Sequence, residues 1–120
     1  MQISCGTDII EIERIKQSIE RLGDKFLNTI YTENEIQYCE SHRENKYQHY
    51  AARFAAKEAL YKAISGILPE ETLTWKNFEV INEINGKPRI TVNHERIKSI
   101  DISISHCREY ATAMVVVMYM

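Results

Sequence analysis

Cysteine is too sparse and too scattered to build a scaffold: Cys5, Cys39 and Cys107 make three, an odd count with no C-x-x-C spacing. Neither a disulfide framework nor a zinc site is suggested, and a reducing cytoplasm fits best. Surplus charge is also missing. Fifteen Lys and Arg stand against 17 Asp and Glu, for a formal net charge of -2. Such a chain has no overall field to hold a nucleic-acid backbone or an anionic membrane, so an anionic partner must be met by a local patch. The longest apolar run, Met114 to Tyr119, is far short of a membrane span. Met1 leads at once into a polar residue and a strand-like run, so no secretory leader is expected. Internal repeats and low-complexity segments are absent.

What remains is ordinary globular material, 44% hydrophobic and 27% charged over 120 residues, which disfavours disordered and fibrous classes. The length suits one domain, 1-120, and one modest core, for which oligomerisation is a natural supplement.

From Gln2 to Ile10, the residues Ile3, Cys5, Thr7 and Ile9 alternate with Gln2, Ser4, Gly6 and Asp8, the period of a strand. Asp8 then projects opposite Ile9. Ile12, Ile15, Ile19, Leu22 and Phe26 follow at helical spacing, predicting one amphipathic helix that begins just after Asp8. On it Arg14, Ser18, Arg21 and Lys25 share a stripe beside the acidic stripe of Glu13, Glu20 and Asp24. This is either a solvated, salt-bridged face or a docking ridge for an acidic partner.

Thr32 and Glu35 have the form of a capping box opening a short helix to about Cys39. Glu40 to Gln48 reads as a loop. An alanine-rich helix is expected from Tyr50 to about Ile64, stopped at Ser65-Gly66 and Pro69. Strand residues Phe78 to Ile84 precede the turn Asn85-Gly86 and the run from Pro88 to Val92, a hairpin. Ile100, Ile102 and Ile104 alternate with Asp101, Ser103 and Ser105, then turn at His106 to Glu109 into a last strand, Tyr110 to Tyr119. The predicted class is α+β, an antiparallel or mixed sheet with the helices gathered to one side.

The chemically informative segment runs from Arg53 to Lys62. On a helix, Glu58 falls one turn after Phe54 and one before Tyr61, on a face that otherwise looks apolar. An ionised carboxylate there needs a cation, a metal or a proton. Lys62, four residues on, is one such partner. Arg53, Lys57 and Lys62 outnumber Glu58, however, and surplus positive charge suits a site that takes both a metal and a phosphate-rich ligand. Asp8 is the natural second carboxylate, beside Gly6, where backbone can approach a ligand closely. It can equally cap the following helix. Two acids suffice for magnesium, which keeps waters and substrate phosphate oxygens in its shell. Asn85-Gly86-Lys87-Pro88 pairs a tight turn with a cation, and Ser103, Ser105 and His106 line an edge of the last hairpin; both are ordinary turns or parts of a phosphate site.

Together these segments resemble the phosphopantetheinyl transferase family, in particular its small holo-acyl-carrier-protein synthase type. The resemblance is carried by Gly6-Thr7-Asp8-Ile9-Ile10-Glu11-Ile12, by Ala52 to Lys62, by Asn85-Gly86-Lys87-Pro88 and by Ser103-Ile104-Ser105-His106, in the family's order over nearly the whole chain. It implies a sheet packed against a long central helix, and transfer of 4'-phosphopantetheine from coenzyme A to a carrier-protein serine, releasing 3',5'-ADP. It makes Asp8 and Glu58 ligands of Mg2+, with Lys62 on the phosphates. Arg53 and His106 would hold the 3'-phosphorylated end, and Gly86, Lys87 and Pro88 would flank the adenine. Arg14, Arg21 and Lys25 would grip an acidic acyl carrier protein. A homotrimer with active sites at subunit interfaces is implied as well. Magnesium and manganese are not separated by these residues, and the serine proton can leave to Glu58 or to a water on the metal. Two departures stand out: Thr7 where an aliphatic residue is more usual, and Cys107 where threonine is common, which would weaken the grip on the 3'-phosphate.

Overall fold

The computed structural model describes residues 1–120. Its elements follow as β1 (Gln2–Glu11), α1 (Ile12–Leu22), α2 (Asp24–Ile30), α3 (Glu33–Ser41), α4 (Lys46–Ile64), β2 (Phe78–Asn82), β3 (Pro88–Val92), β4 (Ile97–His106) and β5 (Tyr110–Tyr119). Short 3-10 turns lie at Arg43–Asn45, Glu70–Thr72 and Trp75–Asn77. Strands β1, β5 and β4 form one sheet in that order, and β2 and β3 form a separate hairpin. All the pairings are antiparallel, which settles the expectation of an antiparallel or mixed sheet.

Helix α4 is the axis of the molecule. Ala51, Ala52, Ala55, Ala56, Ala59 and Ala63 are all buried, because alanine on every side lets other elements close on a helix from every side. One face packs across β1 and β5, where Leu60, Ile64, Phe78, Val115 and Val117 share a core. A second core joins α4 to the other helices through Ile15, Ile19, Leu27, Tyr31 and Tyr50.

Local chemistry sets the boundaries. Thr32 and Glu35 form the expected capping box at the start of α3. Gly86 adopts φ +87 in the hairpin turn, a conformation glycine takes without a steric penalty. Ile84 lies beyond β2 and is fully exposed.

Several expectations need correction. The amphipathic helix is two helices, broken at Gly23 with φ +59, so Lys25 lies in the first turn of α2 and is not on one stripe with Arg14 and Arg21. Asp8 caps nothing: β1 continues to Glu11, which is the N-cap of α1 and makes no side-chain cap bond. The loop expected over 40–48 is largely helical, since α3 runs to Ser41 and α4 begins at Lys46.

Candidate active site

The site is built where β1 meets α4, and Gly6 makes that meeting possible. A Cβ at Gly6 would lie 2.0 Å from the Ala59 carbonyl oxygen, so only glycine lets the strand run this close to the helix. The close approach anticipated at Gly6 is therefore to α4, not to a ligand. Two residues earlier, Ser4 donates its hydroxyl to Ala63 O at 2.5 Å. Two residues later, on the same face of the strand, Asp8 meets Lys62: Nζ donates to Asp8 Oδ1 at 3.2 Å and to Thr7 O at 3.0 Å.

Lys62 therefore pairs with Asp8 and not with Glu58, against the partner expected from i,i+4 spacing. Glu58 is half-buried and takes part in none of the ion pairs. Burial, then the neighbouring Asp8 carboxylate, push its carboxyl above the ordinary value, and Lys62 opposes the rise. Two carboxylates are thus brought within Coulombic reach of each other, next to one lysine that is half exposed.

Fit to a divalent cation follows from this donor set. Asp8 and Glu58 carry hard oxygen donors, and a cation between them would relieve their mutual repulsion. No cluster of three or more His, Cys, Asp or Glu side chains offers a fuller protein cage, and magnesium does not require one.

The remaining predicted residues are dispersed. Lys57, expected to add to the positive charge around Glu58, points away from it. It is fully buried and bonds Glu35 Oε1 at 2.5 Å, Ile30 O at 2.7 Å and Trp75 O at 3.0 Å. Arg53 is buried as well. Its Nη2 donates to Asn82 Oδ1 at 2.7 Å, its guanidinium lies 4.1 Å from the centre of the Tyr38 ring, and its Nε has no partner. Asn82 in turn donates to Gly86 O at 3.2 Å, so Arg53 is tied to the Gly86-Lys87-Pro88 turn and not to Asp8. Lys87 reaches Asp101 at 3.7 Å on the surface.

His106 ends β4 and is exposed, within electrostatic reach of His49. His49 is held down to about 4 by partial burial, then by His42, Arg53 and His106. Ser103 and Ser105 stand on the opposite face of the strand from His106 by the alternation of β4, so these three do not line one edge. Cys107 shapes the turn with its backbone, donating to Tyr110 O at 2.9 Å; its side chain is exposed. Arg14 and Arg21 line a shallow polar depression on α1 with Gln17, Ser18 and Glu20.

Sequence reasoning missed two features. Glu35 is a cap and also the buried counter-ion of Lys57, accepting from Val80 N at 2.7 Å. Only packing from other elements on every side of α4 cuts Lys57 off from solvent. The second is a pocket of about 260 Å³ whose lining is Glu58, Tyr61, Leu73, Trp75 and Phe78. It depends on the chain between α4 and β2, which carried no pattern.

Comparison with known proteins agrees with this architecture. Residues 4–115 match the 4'-phosphopantetheinyl transferase superfamily model. Holo-[acyl-carrier-protein] synthase of Ruminiclostridium cellulolyticum is 43% identical, with 98% of this chain and 92% of the relative covered. That of Thermodesulfovibrio yellowstonii is 47% identical over 93% of this chain and 95% of the relative. Among solved structures, the Bacillus anthracis holo-(acyl-carrier-protein) synthase in complex with CoA (3',5'-ADP) superposes with TM-score 0.79 at 37% identity, covering 95% of this chain and 94% of that one. The Helicobacter pylori synthase in complex with coenzyme A gives 0.83 at 33% identity, covering 95% and 99%. The chain belongs to the 4'-phosphopantetheinyl transferase superfamily.

Proposed function

We propose that residues 1–120 form one holo-[acyl-carrier-protein] synthase unit, moving 4'-phosphopantetheine from coenzyme A to a serine of apo acyl carrier protein and releasing adenosine 3',5'-bisphosphate. The convergence of Asp8, Glu58 and Lys62 at the β1–α4 crossing carries the reading. Relatives at 43% and 47% identity bear that name, and two similar structures are described as complexes with coenzyme A or its nucleotide. In this reading the protein serves fatty acid biosynthesis in the cytoplasm. No helix is long and apolar enough to cross a membrane, and no nucleic-acid partner is invoked.

The residues divide the work. Asp8 and Glu58 would hold Mg2+, which when bound supplies neutralisation of the pyrophosphate charge. Lys62 spends two of its three donors on Asp8 and Thr7 O, leaving one for a phosphate oxygen of the departing nucleotide. Glu58, the carboxylate of the site with no ion-pair partner, or a water held beside it would take the serine proton. Arg53, whose buried Nε lacks an acceptor, and His106 would hold the 3'-phosphorylated end, with Gly86, Lys87 and Pro88 against the adenine. Positioning and electrostatics supply most of the rate. Arg14 and Arg21 on α1, and Lys25 on α2, would receive the acidic carrier protein.

In one chain Arg53 is linked to the Gly86 turn through Asn82 and not to Asp8, which favours sites completed by a neighbouring subunit. A homotrimer is supported by the outer face of the sheet, where Ile3, Ile9, Met114 and Met118 are exposed on one face and Ile3 lies opposite Met118, apolar surface of the kind that marks an interface. Sedimentation should find a species of three 14.0 kDa chains; a monomer would end the trimer proposal.

The deciding experiment incubates the protein with coenzyme A, magnesium and apo carrier protein. A gain of about 340 Da on the carrier, the mass of the arm in this phosphoryl-transfer scheme, is expected with magnesium and not with excess chelator. An unmodified carrier in both samples would refute the transfer; equal modification in both would refute the metal dependence.

A further inference from the structure

The last turn of α4 is completed from outside the helix. The carbonyls of a helix's last residues have no partner within it. Here Tyr61 O accepts from Ser65 N, and Ile64 O accepts from Ile67 N and Leu68 N. No backbone N–H reaches Ala63 O, and Ala63 is buried, which leaves little room for water to serve instead. Its donor is the hydroxyl of Ser4, 59 positions earlier in the chain and on β1, at 2.5 Å.

β1 is therefore bonded to two consecutive residues of α4. Ser4 Oγ donates to Ala63 O, while Lys62 Nζ donates to Thr7 O and to Asp8 Oδ1. Ser4, Gly6 and Asp8 alternate onto the one face of the strand that meets the helix. Between the two anchors, a Cβ on Gly6 would strike Ala59 O and come within 3.0 Å of Ala63 N. Gly6 lets the strand come near, but it has no side chain with which to fix the strand lengthwise. Ser4 supplies that hold. On the other side, the Thr7 hydroxyl donates to Ala113 O of β5 at 3.1 Å, so the stretch leading into Asp8 is tied to the helix and to the sheet. A slide of β1 along α4 would carry Thr7 O and Asp8 away from Lys62 together.

From this geometry we propose that Ser4 is a positioning residue for Lys62: by closing the last turn of α4 against β1, it keeps the ammonium seated on Asp8 and Thr7 O with its third donor free for the departing phosphate. The inference rests on the transfer reading above, in which Lys62 neutralises the leaving nucleotide. Ser4 acts only through the crossing and touches no ligand in this scheme. Its loss belongs in kcat, because Lys62 meets charge that develops as the nucleotide departs, whereas carrier docking on α1 and α2 is separate from that charge.

Transfer kinetics with coenzyme A, magnesium and apo carrier protein test this. The proteins are the full chain as wild type, Ser4→Ala, Lys62→Ala and the double variant. Ser4 is half-buried and its hydroxyl makes this single bond, so Ser4→Ala keeps the fold. It should lower kcat about tenfold, within the range for a slightly misplaced catalytic group, with KM for the carrier changed by less than about twofold. Added to Lys62→Ala, the same substitution should cost less than about twofold more, because nothing is left for Ser4 to position. A merely structural cap would lower kcat by the same factor in both backgrounds. That additive result overturns the inference, as does an unchanged kcat in Ser4→Ala or a loss confined to KM, and each leaves the transfer reading standing. A wild type that leaves the carrier unmodified overturns both.

Discussion

Lys57 and Glu58 are neighbours on one helix with opposite fates. Lys57 faces Glu35 in full burial, and every donor of its ammonium has an acceptor: Ile30 O, Glu35 Oε1 and Trp75 O. Burial lowers its proton affinity and Glu35 counteracts the shift. Glu58, a hundred degrees around the helix, faces a half-open crossing where another carboxylate, Asp8, acts on it more strongly than Lys62 does. A satisfied buried pair is closed to ligands, whereas an unsatisfied half-buried carboxylate has something left to bind. The same helix thus carries one charge with a buried partner and one without an ion-pair partner, and the difference lies in what the surrounding elements supply.

The sharpest way to break this contrast is to change each member and read both activity and stability. Glu58→Ala should reduce transfer on the order of a thousandfold, at the upper end of losing one transition-state electrostatic partner, with a denaturation midpoint at or above wild type. Lys57→Met should do the reverse in stability, costing about 3 kcal/mol in urea unfolding because Glu35 is left charged in the core without its counter-ion. A stable Lys57→Met or an unfolded Glu58→Ala would abolish the distinction. A second change tests the crossing that both share. Gly6→Ala would push β1 from α4, costing about 2 kcal/mol by overpacking, and should also lower kcat by separating Asp8 from Glu58. Wild-type activity in this variant would mean the crossing does not set the site. The smallest effect belongs to the open surface of α1, where charges are solvated and screened. Arg21→Glu should raise KM for the carrier protein by roughly tenfold at low salt, less at 0.5 M salt, with kcat unchanged. A salt-independent rise would remove α1 as the docking face.

Much of this was legible residue by residue. The capping box at Thr32, the turn at Gly86, the alternation of β1, β4 and β5 and the alanine-rich α4 are local patterns whose physics is complete within a few residues. The break at Gly23 was not read, because the apolar spacing of Ile19, Leu22 and Phe26 continues across it and periodicity alone does not register a single left-handed residue. The choice of Lys62 for Asp8 over Glu58 was also out of reach: i,i+4 spacing permits the nearer partner, and only the packing of β1 presents the farther one.

The sequence by itself determined the α+β class, most of the element boundaries and which residue types were available for chemistry, since these depend on local backbone preferences and on hydrophobic period. The tertiary structure decided that Asp8 and Glu58 come within electrostatic reach of each other though fifty residues separate them in the chain. It also decided that Lys57 is buried against Glu35 while Lys62 reaches Asp8. Long-range pairing depends on how closely a strand and a helix approach, and here one glycine without a Cβ sets that distance.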